Sequence, residues 1–244
     1  MRFIDYFSRT YVINLPERQD RRRDVGKELE RVGMPLCQGK VELFAACRPD
    51  EPLDFPNLGT RGCFMSHLEI LRGALRDRLP RLLILEDDVA FSSAIPLVEE
   101  ALVEALQGQD WGLFYLGHVG ADHVPLATRD TRTAKVEEYR GDLRCTHAYA
   151  VDGKVIGEIV DYLEAILGRP GGHPDGGPMH VDGAIYRFRM EHPECRTLIA
   201  NPNLVWQSSS KSDITTGRLD RIPLLGRLVD LPRALKRRVS RLVK

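Results

Sequence analysis

Three consecutive acids leave an apolar run: Ile84-Leu85 leads into Glu86-Asp87-Asp88 and then Val89. Carboxylates this close repel one another unless a cation neutralises them. Residues 82–86 (LLILE) have the length and apolarity of a short buried strand, so the acids emerge at its carboxyl end. In an open α/β sheet that end is where ligands bind. A hard divalent ion, Mn²⁺ or Mg²⁺, takes oxygen ligands in such a place and keeps free positions for phosphate oxygens. The plainer alternative is a solvated acidic turn, or a helix cap at Asp88.

A second segment, Asn14-Leu15-Pro16-Glu17-Arg18-Gln19-Asp20-Arg21-Arg22-Arg23, follows an apolar stretch and opens a charged one. A helix start offers backbone N–H groups, and arginines offer planar forks, to an anion such as a diphosphate. A solvated charged helix face accounts for the same residues. A third segment runs Gly59-Thr60-Arg61-Gly62-Cys63-Phe64-Met65-Ser66-His67. Ser66 and His67 are adjacent on a helix and do not face each other, which argues against a nucleophilic Ser–His pair. Cys63 reads as a core residue, and His67 as either a buried structural histidine or a ligand. In a fourth, His180-Val181-Asp182, an extended backbone would point His180 and Asp182 to one face as metal ligand and general base. A fifth, Pro202 to Gln207 with the Ser-rich 208–214, offers an amide and hydroxyls to a sugar or phosphate, or is a linker.

The elements that must carry these residues alternate between strand-like and helix-like, the pattern of an α/β layer fold. Strands are expected at 10–15, 41–47, 82–86, 111–116 and 145–151. Helices are expected at 16–33, 62–78, 94–107 and 153–167. In the second of these helices Phe64, Leu68, Leu71 and Leu75 fall at spacings of three and four, and Pro80 stops it. Residues 118–135 read as a polar surface excursion. Residues 168–178 hold five Gly and three Pro, a composition that excludes regular structure and suits a mobile loop. The body closes near residue 215 as one domain, 1–215, followed by a tail, 216–244.

The chain has 244 residues, 43% hydrophobic and 29% charged, with 35 basic and 35 acidic residues. This is ordinary for one globular domain with an appendage. Zero net charge argues against a nucleic-acid binder. The balance is uneven, however: residues 227–244 hold seven basic residues and one acidic one. After Pro232, Leu235, Val239, Leu242 and Val243 share one helical side, while Arg233, Lys236, Arg237, Arg241 and Lys244 cover the other. That is the pattern of an interfacial helix on an anionic membrane, and a solvated C-terminus is the alternative. No apolar run approaches the roughly 18 residues of a membrane span, and no signal peptide is read at the N-terminus. Five widely spaced cysteines show neither a zinc pattern nor a disulfide framework, which fits a reducing cytosol.

Taken in order, these segments resemble glycosyltransferase family 25, which includes bacterial lipooligosaccharide galactosyltransferases and the collagen galactosyltransferase domains. The matching residues are Tyr11-Val12-Ile13-Asn14-Leu15 with Arg18, Asp20, Arg21 and Arg22; Gly59, Gly62-Cys63 and Ser66-His67; and Ile84 to Val89. Looser matches are Tyr115-Leu116-Gly117, Thr146-His147-Ala148-Tyr149, Val181-Asp182, and Pro202 with Gln207 and Ser212-Asp213-Ile214. Thr60 departs from the family, which often has Glu there.

The resemblance implies a GT-A-like fold, a UDP-sugar donor (most often UDP-galactose), Mn²⁺ or Mg²⁺, and inversion at the anomeric carbon. It casts Glu86-Asp87-Asp88 as the metal-binding acidic motif, with Asp88 as metal ligand and Glu86 and Asp87 holding metal or ribose. Asn14, Leu15, Arg18, Arg22, Ser66 and His67 would line the donor site. Asp182 is the expected base and His180 a further metal ligand. The acceptor is expected to be a saccharide, free or lipid-linked, and the enzyme to sit on the inner face of the cytoplasmic membrane through its tail. A non-catalytic nucleotide-sugar or glycan-binding module of the same fold, and a metal-dependent phosphoester hydrolase, remain as alternative readings.

Overall fold

The computed structural model describes residues 1–120, 124–128 and 130–208. The Ser-rich stretch 209–214 and the basic tail 227–244, with the domain boundary near 215, lie outside the described residues. The elements in chain order are α1 (Phe3–Tyr6), β1 (Arg9–Asn14), α2 (Gln19–Arg31), β2 (Val41–Ala45), α3 (Leu58–Arg76), β3 (Arg81–Glu86), β4 (Val89–Phe91), α4 (Ile95–Gln107), β5 (Leu113–Gly120), β6 (Lys135–Glu138), β7 (Leu143–Asp152), α5 (Gly153–Leu167), α6 (Val181–Glu191), β8 (Thr197–Asn201) and β9 (Val205–Gln207). Among the described residues, no helix is long and apolar enough to cross a membrane.

Seven strands form one mixed sheet in the order β2-β1-β3-β7-β5-β8-β6, and β4 pairs with β9 in a separate ribbon. β1 runs parallel to both β2 and β3. The chain leaves β1 to one side through α2 and returns to its other side through α3. The connections therefore diverge beside β1, and a crevice opens at the carboxyl ends of the strands there. Ile13 of β1 sits in register with Glu86 of β3, which brings the Asn14 segment and the three acids to one edge of that crevice.

β3 shows why an unbroken apolar run makes this strand. Leu83 and Leu85 join the core on one face, with Val25 and Leu29 of α2 and Val98 and Leu102 of α4. Leu82 and Ile84 join the core on the other, with Phe64, Leu68 and Leu71 of α3 and Ile159 and Leu163 of α5. A strand buried on both faces needs no polar alternation. The charged edge strand β6 (KVEE) is the opposite case, and such charges suit a strand with an unpaired side.

Several expectations need correction. α3 begins at Leu58 rather than residue 62, because Asn57 caps it by accepting the Thr60 N–H at 2.8 Å. Leu75 is 43% exposed, and Ile70 and Ala74 take the buried positions instead. The span 118–135 is not wholly a surface excursion. His118 is buried within β5, and β6 begins at Lys135. The extended backbone ends at His180, which is the N-cap of α6, and Val181 and Asp182 lie in the helix's first turn. Val181, Ala184, Ile185 and Phe188 are buried on one face of α6, and burying that helical stripe outweighs any local preference for extended backbone. The Gly/Pro-rich loop 168–178 holds no helix or strand, as its composition requires, and hydrogen bonds link it to the body. The Gly171 N–H donates to Asp54 Oδ2 at 2.8 Å, and Arg187 donates to the Pro174 carbonyl at 3.1 Å.

β5 and β7 change register between Gly117 and Val119. Cys145 in the bulged stretch has φ 71°, a left-handed conformation that costs a non-glycine residue roughly 1–2 kcal/mol. Bulges of this kind re-aim side chains beside functional sites. Gly117 fits where nothing larger does, since a Cβ there would lie 2.2 Å from the Val205 carbonyl oxygen and 2.5 Å from His147 Nε2. Gly117→Ala is expected to destabilise the protein by roughly 1–3 kcal/mol through overpacking. Urea unfolding should then show a lower midpoint at an unchanged slope.

Candidate active site

The crevice holds a cavity of about 620 Å³. Leu15 and Arg21, the Ala46–Asp50 loop, one face of α3, the acids Glu86, Asp87 and Asp88, and Gln207 line it. Each acid has a different environment, and so a different aptitude.

Asp87 is consumed by the protein. Its Oδ2 accepts from Asn14 Nδ2 at 2.7 Å, and its Oδ1 accepts from Arg21 at 2.7 Å. Both partners of the ion pair are nearly buried, with side chains 12% and 9% exposed. Asn14 is itself buried and does not line the cavity. It acts on the site by holding Asp87 in place.

Glu86 reaches across the cavity floor. Its Oε1 lies 3.4 Å from Thr146 Oγ1 and 3.8 Å from His67 Nε2, and its Oε2 accepts from Gln207 at 3.2 Å. Burial pushes this carboxyl up, but the facing His67, His147 and Gln207 more than offset it, so the net shift is downward. Glu86 is an anion at neutral pH.

Asp88 is the under-neutralised acid. Its Oδ1 is buried with no hydrogen-bond partner, and Arg21 stands 3.7 Å from its Oδ2. Burial first, then the Glu86 and Asp87 charges, raise its pKa from 3.8 to about 7, against the pull of Arg21. A buried, unpaired carboxylate oxygen among like charges is an unfavourable arrangement unless a cation joins it.

The other expected residues fall in varied places. Leu15 lines the cavity. Arg18 forks both donors onto Asp20 at 3.0 Å, which holds the Asp20 carboxyl down at about 2. Arg22 is exposed. Ser66 uses its hydroxyl internally, accepting from the Cys47 N–H at 2.8 Å and donating to the Gly62 carbonyl at 2.7 Å. It thereby staples the post-β2 loop to α3. His67 is fully buried, with Nδ1 3.0 Å from Tyr149 Oη. His180 is exposed. Asp182 is part-buried; its Oδ2 accepts from the Cys145 N–H at 3.3 Å and its Oδ1 from the Gly183 N–H at 2.8 Å. Among the described residues, the His, Cys, Asp and Glu side chains whose ligand atoms converge are Cys63, His67 and Glu86.

The donor-site residues expected from the sequence left out Arg21, Arg48 and Thr146, although Arg21 and Thr146 stand in segments that carry the resemblance. Arg21 carried a usable signal. It precedes Val25 and Leu29 at successive spacings of four, and both are buried, so Arg21 shares the inward face of α2 while Arg22 turns away. Arg48 carried none, because a loop delivers it, and Thr146 stood only in a loose match, where a bulge brings it to Glu86.

A central parallel strand, acids at its carboxyl end and an arginine-bearing helix opposite define a ligand site in an α/β protein. The family model described as glycosyltransferase family 25 (LPS biosynthesis protein) matches residues 7–166, and the chain belongs to that family. It is therefore a glycosyltransferase of the kind that builds lipopolysaccharide. Among curated proteins none matches the chain. Solved structures similar to it include A197 from STIV, at 10% identity over 86% of this chain and 99% of that one, with a TM-score of 0.38. Another is a 4-diphosphocytidyl-2C-methyl-D-erythritol synthase from Anaerococcus prevotii, at 12% identity over 86% of this chain and 94% of that one, with a TM-score of 0.39.

Proposed function

We propose that this glycosyltransferase moves a hexose, galactose from UDP-galactose, onto a saccharide acceptor of lipopolysaccharide or lipooligosaccharide, with inversion. The observation that carries this reading is the unpartnered buried Oδ1 of Asp88 at the sheet's carboxyl edge, inside a cavity of about 620 Å³. That volume suits a small organic ligand.

The residues fit a hard divalent ion. Asp88 offers an unpartnered oxygen, and the acid cluster carries more negative charge than Arg21 offsets. Asp88 would hold Mn²⁺ or Mg²⁺, with Glu86 beside it. When bound, such an ion supplies positive charge at the departing diphosphate. Arg21 holds Asp87 and Asp88 in position, and Arg48 and Leu15 border the space for the nucleotide. Inversion needs a base on the acceptor side. Asp182 takes that part: two backbone N–H groups orient its carboxylate, and lone pairs remain for an acceptor hydroxyl proton.

The test is thermal melting with UDP, with Mn²⁺ and with both, because a ligand that binds only the folded state raises the midpoint. The expected result is a rise that needs both. Asp182→Asn should keep that rise and lose roughly 10²–10⁴-fold in transfer rate, the usual worth of a positioned base. A rise with metal alone, or full activity in Asp182→Asn, would overturn these assignments.

The tail 227–244 is proposed as the anchor to the inner membrane face. Full-length protein should bind anionic vesicles in low salt and release in high salt. Equal binding after deletion of 227–244 would refute it.

A further inference from the structure

We propose that Cys63, His67 and Glu86 form a second kind of metal site, for a borderline-soft divalent cation of the Zn²⁺ class, in the floor of this cavity. Cys63 and His67 are four residues apart on α3 and share one helix face. Glu86 meets them from the end of β3. One ligand atom from each lies within 4.8 Å of the others.

His67 is the independent sign that something belongs there. It is fully buried, and its Nε2 has no hydrogen-bond partner. That nitrogen faces Glu86 Oε1 at 3.8 Å, too far for a hydrogen bond. Two ligands on one tetrahedral zinc stand about 3.4 Å apart when each bond is near 2.0–2.1 Å, so a small side-chain rotation closes the gap. The other ring nitrogen lies 3.0 Å from Tyr149 Oη, and Tyr149 is itself fully buried. A supporting partner of this kind orients metal-bound imidazoles.

The donor set decides the ion. Thiolate, imidazole and one carboxylate oxygen favour Zn²⁺ over Mg²⁺ or Mn²⁺, whereas the unpartnered oxygen of Asp88 suits a hard ion. Binding converts the Cys63 thiol to thiolate and releases its proton to solvent. Three protein ligands leave the fourth position toward the cavity. The site rests on the convergence of these three ligand atoms, although His67 and Glu86 also border the proposed donor site.

The experiment is a Co²⁺ titration of the metal-stripped full-length protein, followed by absorption. A thiolate-to-cobalt band is expected, bleached by stoichiometric Zn²⁺ and unmoved by a large excess of Mg²⁺. Cys63→Ser, a nearly isosteric change, should lose the band. Cys47→Ser, which alters another thiol of the cavity wall, should keep it. Tyr149→Phe keeps the packing and removes the supporting hydroxyl, and it should weaken Zn²⁺ binding by roughly 10–100-fold. No thiolate band in the unaltered protein overturns the proposal, as does a band that survives Cys63→Ser or vanishes in Cys47→Ser. If Cys63→Ser does not melt cooperatively, His67→Gln takes its place, and undiminished Zn²⁺ affinity there is equally fatal. Failure of the donor reading would show separately, as no UDP-dependent melting shift with the cobalt spectrum intact.

Discussion

Asp88→Asn is expected to abolish sugar transfer and, at the same time, to make the metal-free protein more stable above neutral pH. The two effects share one cause. Asp88 is a buried carboxyl with an unpartnered oxygen and two acidic neighbours. Its protonated form is favoured in the folded state, with a pKa near 7 against 3.8 for the free group. The folded protein therefore binds this proton more tightly than the unfolded chain does. The contribution to stability is fully present below about 3.8, falls as pH rises toward 7, and is flat above that. Ionising such a group costs the folded state up to about 4 kcal/mol. Asparagine removes the cost and the slope together. It also removes the anion that a divalent ion would bind, so kcat should fall by roughly 10³-fold or more, as when electrostatic stabilisation of a transition state is lost. Melting curves between pH 4 and pH 8 read the stability effect, and transfer assays read the other. Mn²⁺ together with UDP should stabilise the unaltered protein and leave the variant unmoved. An active variant, or one with the original pH slope, would refute the role given to Asp88.

Arg21→Ala is expected to be the most destabilising single change in the site. The guanidinium donates to Asp87 Oδ1 at 2.7 Å and stands 3.7 Å from Asp88 Oδ2, with side chains 9–12% exposed throughout. Removing one partner of a buried pair leaves an uncompensated charge, which costs about 3–5 kcal/mol. Here Asp87 would keep only the Asn14 amide. For a chain of this size the midpoint should drop by roughly 6–20 °C. Arg21→Lys should recover only part of the loss, because a point charge on a flexible stem cannot replace a planar fork set between two carboxylates. Pairing Arg21→Met with Asp87→Asn should recover more, since it leaves no charge stranded at position 87. A midpoint for Arg21→Ala within two or so degrees of the parent would show that solvent already screens the pair.

Both expectations turn on which side chains meet, and here sequence and structure divide. The run Leu82 to Glu86 was legible as a buried strand ending in acids because burial on both faces demands an unbroken apolar stretch. β1 and most of α2, α3, α4 and α5 followed from the same periodicity. The stripe Val181, Ala184, Ile185 and Phe188 was equally present in the sequence. It marks α6 as a helix, although the polar His180-Val181-Asp182 suggested extended backbone. The charged strand β6 carried no apolar signal, because an edge strand has little to bury.

The chain alone thus determined the family, the α/β layering and the acid-bearing strand end, since these rest on local pattern and residue type. Only the tertiary structure decided that Asp87 is bound by Asn14 and Arg21, that Arg18 turns to Asp20, that Asp88 keeps an unpartnered oxygen, and that His67 faces Glu86. Those pairings depend on strand register, on the bulge at Cys145 and on how far each helix is rotated against the sheet. Distances of a few ångström between residues tens of positions apart leave no trace in the local sequence pattern.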